Sequence, residues 1–229
     1  MDNDAKTTEL NGRLRMIYTP YLQHVKNEFT SEATQLSLPI LMSAKSSYFQ
    51  GKQKILFITK EIPESYGKLQ EKEKLNPDYL MESYEKSNLC EIDESDLFIF
   101  MRMVNEKING TPCEGYLWTS ISKMSYADST PPVGIQNRNK QGFDLLKEEI
   151  GIVQPDMIFF LTGFSYDEQI QSMYPDIKYE TIKDNVAYNL THPDLPVKSM
   201  ISLQPKSLNK RGQMDTVYNA IFREVAVPH

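Results

Sequence analysis

The feature that most limits the possible folds is the run KILFIT at residues 54–59, which is rich in β-branched, aliphatic and aromatic side chains. A short apolar run of this kind is typical of a strand buried on both faces. Similar segments follow at 115–121, 157–161 and 198–203, and helical patterns lie between them. Alternation of strands and helices favours parallel pairing with right-handed crossovers. The sequence therefore predicts an α/β domain with a central four-stranded parallel sheet.

The parts outside this alternation have their own patterns. Apolar residues recur at three- and four-residue steps from Leu10 to Phe29, and Pro20 interrupts them, so we expect a helical hairpin or a kinked helix over 8–29. We interpret 1–35 as a helical segment packed on the core, and 36–229 as one α/β domain. Residues 177–190 predict a small β-hairpin that turns at Asp184-Asn185.

Composition limits the class of protein. The amino terminus is polar, and no stretch approaches the roughly 18 apolar residues of a membrane span, so we expect a cytoplasmic protein without membrane contact. The two cysteines and three histidines match no metal or redox spacing, and no nucleotide-binding glycine motif occurs, so we expect neither a metal nor a cofactor. A net charge of −6 does not favour nucleic-acid binding, although a local basic face can suffice.

Candidate site residues follow the predicted strands, because ligands of open α/β sheets bind beyond the carboxyl ends of the strands. Glu61 follows the first strand and Ser120 ends the second. Gly163 closes the third, and Gln204-Pro205 follows the fourth, ahead of Leu208 and Gly212.

The order of these segments over roughly 36–225 resembles the uracil-DNA glycosylase superfamily, and most closely a poorly characterised bacterial branch of it. That resemblance implies a three-layer α/β/α sandwich. It also implies that Glu61 acts on the attacking water and that Gln204 occupies the position of the catalytic histidine. Thr59 and Lys60 replace the Gly-Gln pair that precedes the acid in the family.

The resemblance also implies a base pocket. Its residues are Tyr66, Ser120, Lys123 and Gly163, with Ser120 where the branch has an asparagine, so that the bidentate recognition of uracil is lost. An alternative register would place His192-Pro193, rather than Gln204-Pro205, in the fourth motif.

A basic stretch lies between Leu195 and Met214, where four basic residues occur without any acid. We interpret Lys206, Ser207, Lys210 and Arg211 as phosphate-binding, ahead of a helix amino terminus. The alternative is a solvated basic loop. DNA or a nucleotide is the expected partner.

Three functions follow as hypotheses. The first is hydrolysis of the N-glycosidic bond of a damaged or unusual base, extruded into the crevice. The second is a catalytically impaired module that binds nucleic acid or a nucleotide. The third is a hydrolase of free nucleosides, which suits the acidic net charge.

Overall fold

A computed structural model describes residues 2–60, 67–86, 95–112, 115–127 and 129–226 of the chain. The chain folds into two compact units. Unit 1 consists of Met1–Ser46, Thr59–Ser87 and Trp118–Gln154, and unit 2 consists of Ser47–Ile58, Asn88–Leu117 and Pro155–His229.

The described residues contain eight α-helices and six strands. The helices are α1 Asn3–Glu28, α2 Pro77–Lys86, α3 Asp96–Asn109, α4 Val133–Arg138, α5 Lys140–Val153, α6 Asp167–Met173, α7 Pro205–Lys210 and α8 Met214–Ala226. The strands are β1 Ile55–Thr59, β2 Tyr116–Ser120, β3 Met157–Leu161, β4 Lys178–Lys183, β5 Ala187–Thr191 and β6 Lys198–Ser202. All four predicted core strands, and the predicted hairpin of β4 and β5, are thereby confirmed.

The strands form one sheet in the order β2-β1-β3-β6-β5-β4. β3 pairs with β6 in parallel, and β5 pairs antiparallel with both β6 and β4. The α/β class is confirmed, but the prediction of a purely parallel sheet of four strands was wrong, because the sheet is mixed and has six strands. The hairpin adds its two strands to β6, in a register that places Ala187 opposite Ser202.

Hydrogen bonds bring like ends of the other strands together. Lys54 immediately precedes β1, and Asp156 immediately precedes β3. The N–H of Asp156 donates to the carbonyl of Lys54 at 2.8 Å. At the opposite end, Ile121 N after β2 donates to the carbonyl of Thr59 at 2.8 Å. Neighbouring strands whose starts or ends lie side by side run in the same direction, so β2, β1 and β3 are parallel to one another, as the alternation of strands and helices predicted.

Unit 1 is built around α1, which packs against α5 and α2. Its inward stripe includes Leu14, Tyr18 and Val25, all fully buried. The helix continues through Pro20, which is exposed, so the segment is one helix and not a hairpin. The proposed domain boundary at residue 36 stays a prediction.

Unit 2 holds most of the sheet. Phe57 of β1 stacks on Phe159 of β3 with ring centroids 5.5 Å apart, which fixes the middle of the sheet by aromatic packing. β4 is the last strand in the order and is largely exposed, with Lys178 and Lys183 in solvent. Lysines on such a strand are typical of a sheet edge that avoids further pairing.

Candidate functional site

Gly163 and the end of β6 lie side by side in unit 2. Gly163 has φ of +64°, and its N–H donates to the carbonyl of Ser202 at 2.9 Å. A Cβ at this position would meet nothing within 4 Å, so the requirement for glycine is conformational and not steric. The third and fourth predicted strand ends are therefore adjacent.

Gln204 begins the next element. It is the N-cap residue of α7, and its carbonyl accepts from Ser207 N at 2.8 Å and from Leu208 N at 2.9 Å. Its half-buried side chain forms no capping hydrogen bond. Pro205 occupies the first turn, where the missing N–H has no intrahelical partner to lose. The amide of Gln204 is thus held by its backbone close to the end of β6.

Lys206, Lys210 and Arg211 are exposed, and Ser207 is half-buried. Within the described part of the chain, none of the three cations forms an ion pair. The acid beside α7 is Asp96, which accepts from Asn209 Nδ2 at 2.9 Å. These four residues, 206, 207, 210 and 211, are called the basic segment below.

Ser120 is the last residue of β2 and belongs to unit 1. Its side chain is fully buried, and its hydroxyl donates to the carbonyl of Lys60 at 3.4 Å. The ends of β1 and β2 are therefore neighbours, with Ser120 next to the residue that precedes Glu61. Glu61 and Tyr66 lie outside the described residues, so their assigned roles stay predictions.

Lys123 has an environment that the sequence did not reveal. It is fully buried with φ of +62°, and its ammonium donates to Glu149 and, at 2.6 Å, to the Thr119 hydroxyl. The Tyr18 hydroxyl donates to the other Glu149 oxygen at 2.9 Å. The ammonium is thus engaged inside unit 1, whereas the resemblance implied that it lines a base pocket.

Burial controls the protonation of this pair. Loss of hydration lowers the pKa of Lys123, and the carboxylate of Glu149 opposes that change. Burial likewise raises the pKa of Glu149, against the attraction of Lys123. Each group therefore depends on the other to remain charged in the core.

Glu149 and Tyr18 are the residues that sequence reasoning missed. Glu149 lies on the buried face of α5 together with Leu146, Ile150 and Val153. A carboxylate on an apolar helical stripe is the signal that indicates a buried, paired acid. Finding its partner requires tertiary structure, because Lys123 belongs to the turn after β2.

His192 belongs to the loop after the hairpin. Asp194 N donates to its Nδ1 at 3.1 Å, which leaves Nε2 to donate to the Pro175 carbonyl at 3.0 Å. Its ring also packs edge-on against Tyr174. These interactions stabilise the turn that contains His192. Which of His192 and Gln204 occupies the fourth-motif position stays a prediction.

Comparison of the chain with protein-family models, curated proteins and solved structures gives no match. The described residues contain no group of three or more potential metal-ligating side chains. Among the same residues, no helix has both the length and the apolar character that crossing a bilayer requires.

Proposed function

We propose that the protein binds nucleic acid through the basic segment, as a module of uracil-DNA glycosylase-like architecture with impaired catalysis. The observation that carries the proposal is the exposure of Lys206, Lys210 and Arg211 without ion partners among the described residues. Cations that no acid neutralises are available to phosphates, and displacement of counterions from the nucleic acid drives such binding.

The rest of the fold supports binding over hydrolysis. Lys123, which the resemblance would assign to a base pocket, is sequestered by Glu149, and Ser120 is buried. Gln204 offers an amide where the family has a histidine, and an amide is neither protonated nor ionised at neutral pH, so it cannot act as a general acid or base. A phosphate-binding surface needs none of these three groups.

The test is oligonucleotide binding measured over a range of salt concentrations. Reversal of all three cations to Glu should abolish affinity at physiological salt, and should reduce the slope of log K against log salt by about one for each phosphate that is no longer bound. The matched control is Lys140→Glu, Lys178→Glu and Lys183→Glu, which changes the net charge equally at exposed positions elsewhere. Equal losses in both triple variants would mean that net charge, and not the basic segment, governs binding.

A second candidate is slow hydrolysis of an N-glycosidic bond, supported by the position of Glu61 in the sequence, two residues after β1, where the resemblance implies the catalytic acid. In this proposal Glu61 accepts a proton from water as the water oxygen bonds to the anomeric carbon. The glycosidic electron pair leaves with the base, which departs as an anion.

Oligonucleotides with uracil, hypoxanthine or alkylated bases test the second candidate, with abasic sites detected by alkaline cleavage. Activity that Glu61→Gln removes, with DNA affinity retained, would establish hydrolysis. Activity indifferent to Glu61→Gln would refute the assignment of the water to Glu61.

A further inference from the structure

β2 is the first strand in the sheet order, so one of its edges has no neighbouring strand among the described residues. The backbone of Trp118, in the middle of β2, nevertheless forms hydrogen bonds on that edge. Its N–H donates to the Tyr84 hydroxyl at 3.0 Å, and the same hydroxyl donates to the Trp118 carbonyl at 2.9 Å. A neighbouring strand would offer this residue one acceptor and one donor, and the hydroxyl of Tyr84 supplies both.

These two backbone groups of Trp118 face away from β1. The carbonyl of the next residue, Thr119, accepts from Thr59 Oγ1 at 3.2 Å, and Ile121 N donates to the Thr59 carbonyl, so Thr119 and Ile121 face β1. Successive residues of a strand direct their backbone groups to opposite sides. The Tyr84 hydroxyl therefore occupies the place that a residue of a further strand would take.

Packing of α2 holds Tyr84 at this edge, within unit 1. Tyr84 forms the buried stripe of the helix together with Leu80 and Met81. Its ring stacks on the Trp118 indole with centroids 6.0 Å apart, and the two side chains are 6% and 1% exposed. The ring thus covers the indole, and the hydroxyl reaches the backbone of the strand.

The two outer strands of the sheet differ in how they oppose further pairing. β4 carries Lys178 and Lys183 in solvent, and charges on an edge strand oppose the addition of another strand. β2 has the sequence YLWTS, which contains no charged residue. Aromatic and β-branched side chains favour strand pairing, so the sequence of β2 does not itself oppose a further strand.

We propose that Tyr84 keeps the outer edge of β2 closed, and that the partner it excludes is β2 of a second copy of this chain. Two copies with open edges pair antiparallel about a two-fold axis, and each Trp118 N–H donates to the Trp118 carbonyl of the other copy. In this register the uncharged residues of one β2 face those of the other, so no like charges meet. The contact does not involve the basic segment and does not depend on nucleic-acid binding.

Tyr84→Leu removes the hydroxyl and leaves a buried apolar side chain that is too short to reach the strand edge. In sedimentation we expect a concentration-dependent assembly of twice the wild-type mass, and the Trp118 N–H should exchange with solvent more slowly as that assembly forms. The matched control is Tyr79→Leu on the same helix, because the Tyr79 ring is exposed, and this variant should keep the wild-type mass. A folded Tyr84→Leu protein of wild-type mass would overturn the proposal, and so would an assembly in which exchange at Trp118 stays fast.

Tyr84→Phe supplies a second test, because it keeps the stacked ring and removes only the hydroxyl. In dilute protein, the Trp118 N–H should exchange roughly two- to tenfold faster than in wild type, the factor that corresponds to one lost hydrogen bond. Exchange should slow again as the concentration rises, since a second copy then supplies an acceptor. Tyr79→Phe should show neither change, and circular dichroism verifies that each variant is folded. Exchange in Tyr84→Phe that equals wild type, or that is independent of concentration, would contradict the proposal even if Tyr84→Leu does not fold.

Discussion

Two lysines with similar sequence contexts have opposite environments in this protein. Lys123 and Lys206 each follow a sheet strand by a few residues, and both were predicted to contact a ligand. Lys123 is fully buried in an ion pair with Glu149, whereas Lys206 is exposed on α7. A lysine that follows a strand in the sequence therefore lies near the carboxyl end of that strand. The sequence does not show whether its side chain faces solvent or the core.

The greatest loss of stability is expected when the buried ion pair of Lys123 and Glu149 is broken. Glu149→Gln leaves the ammonium of Lys123 without its anion, and should lower the free energy of unfolding by about 3–5 kcal/mol. Glu148→Gln is the matched control, because Glu148 is exposed on the same helix and its change should stay within about 0.5 kcal/mol. Urea denaturation measures both. Equal stabilities of the two variants would contradict the structural role of the pair.

The double variant Lys123→Met with Glu149→Leu tests whether the two charges do more than neutralise each other. It removes both charges and keeps comparable volume, so it should recover much of the stability lost in Glu149→Gln, since apolar replacement of a whole buried pair is often neutral. A double variant less stable than the single one would indicate that the pair is needed for more than mutual neutralisation.

The next prediction concerns Gln204, which follows the end of β6. If Gln204 occupies the histidine position, Gln204→His should raise base excision by up to about 10²–10³, the range for one positioned donor at a developing anion. Gln213→His introduces the same residue nearby, beyond α7, and should change nothing. The abasic-site assay compares them, and equal rates in both variants would contradict the role of Gln204.

Half-pair variants should also differ in their pH dependence. In Lys123→Met, burial raises the pKa of Glu149 without the opposing charge of Lys123, so the folded state binds more protons and the stability deficit shrinks as pH falls towards the unfolded pKa. In Glu149→Gln, burial lowers the pKa of Lys123, so the folded state binds fewer protons and the deficit shrinks as pH rises. Urea denaturation at a series of pH values measures the free energy of unfolding of each variant relative to wild type. Slopes of the same sign would refute the coupling.

Much of the fold followed from local pattern. β1 and β3 are buried along their whole length, and their apolar runs identified them directly. The hairpin was also found, but its alternating polar residues, such as Glu180, gave no indication that β5 would pair with β6. That pairing depends on a register between distant residues, which a local pattern does not encode.

The site was less predictable than the fold. The basic segment was identifiable because its charges are close together along the chain and exposed. The environment of Lys123 was not, because its left-handed backbone and the burial of Glu149 on α5 emerge only when the chain folds. The sequence therefore located the strand ends, but it did not reveal which of the side chains there are exposed and which are buried.

Stability and DNA affinity, measured together in Lys123→Met and Lys206→Met, test the two lysine environments most directly. Lys123→Met should lose stability but, while folded, retain the affinity and salt dependence of wild type. Lys206→Met should retain stability within about 0.5 kcal/mol and lower the salt slope by about one. Weaker DNA binding by folded Lys123→Met than by Lys206→Met would contradict the assignment of Lys123 to the core and of Lys206 to nucleic acid.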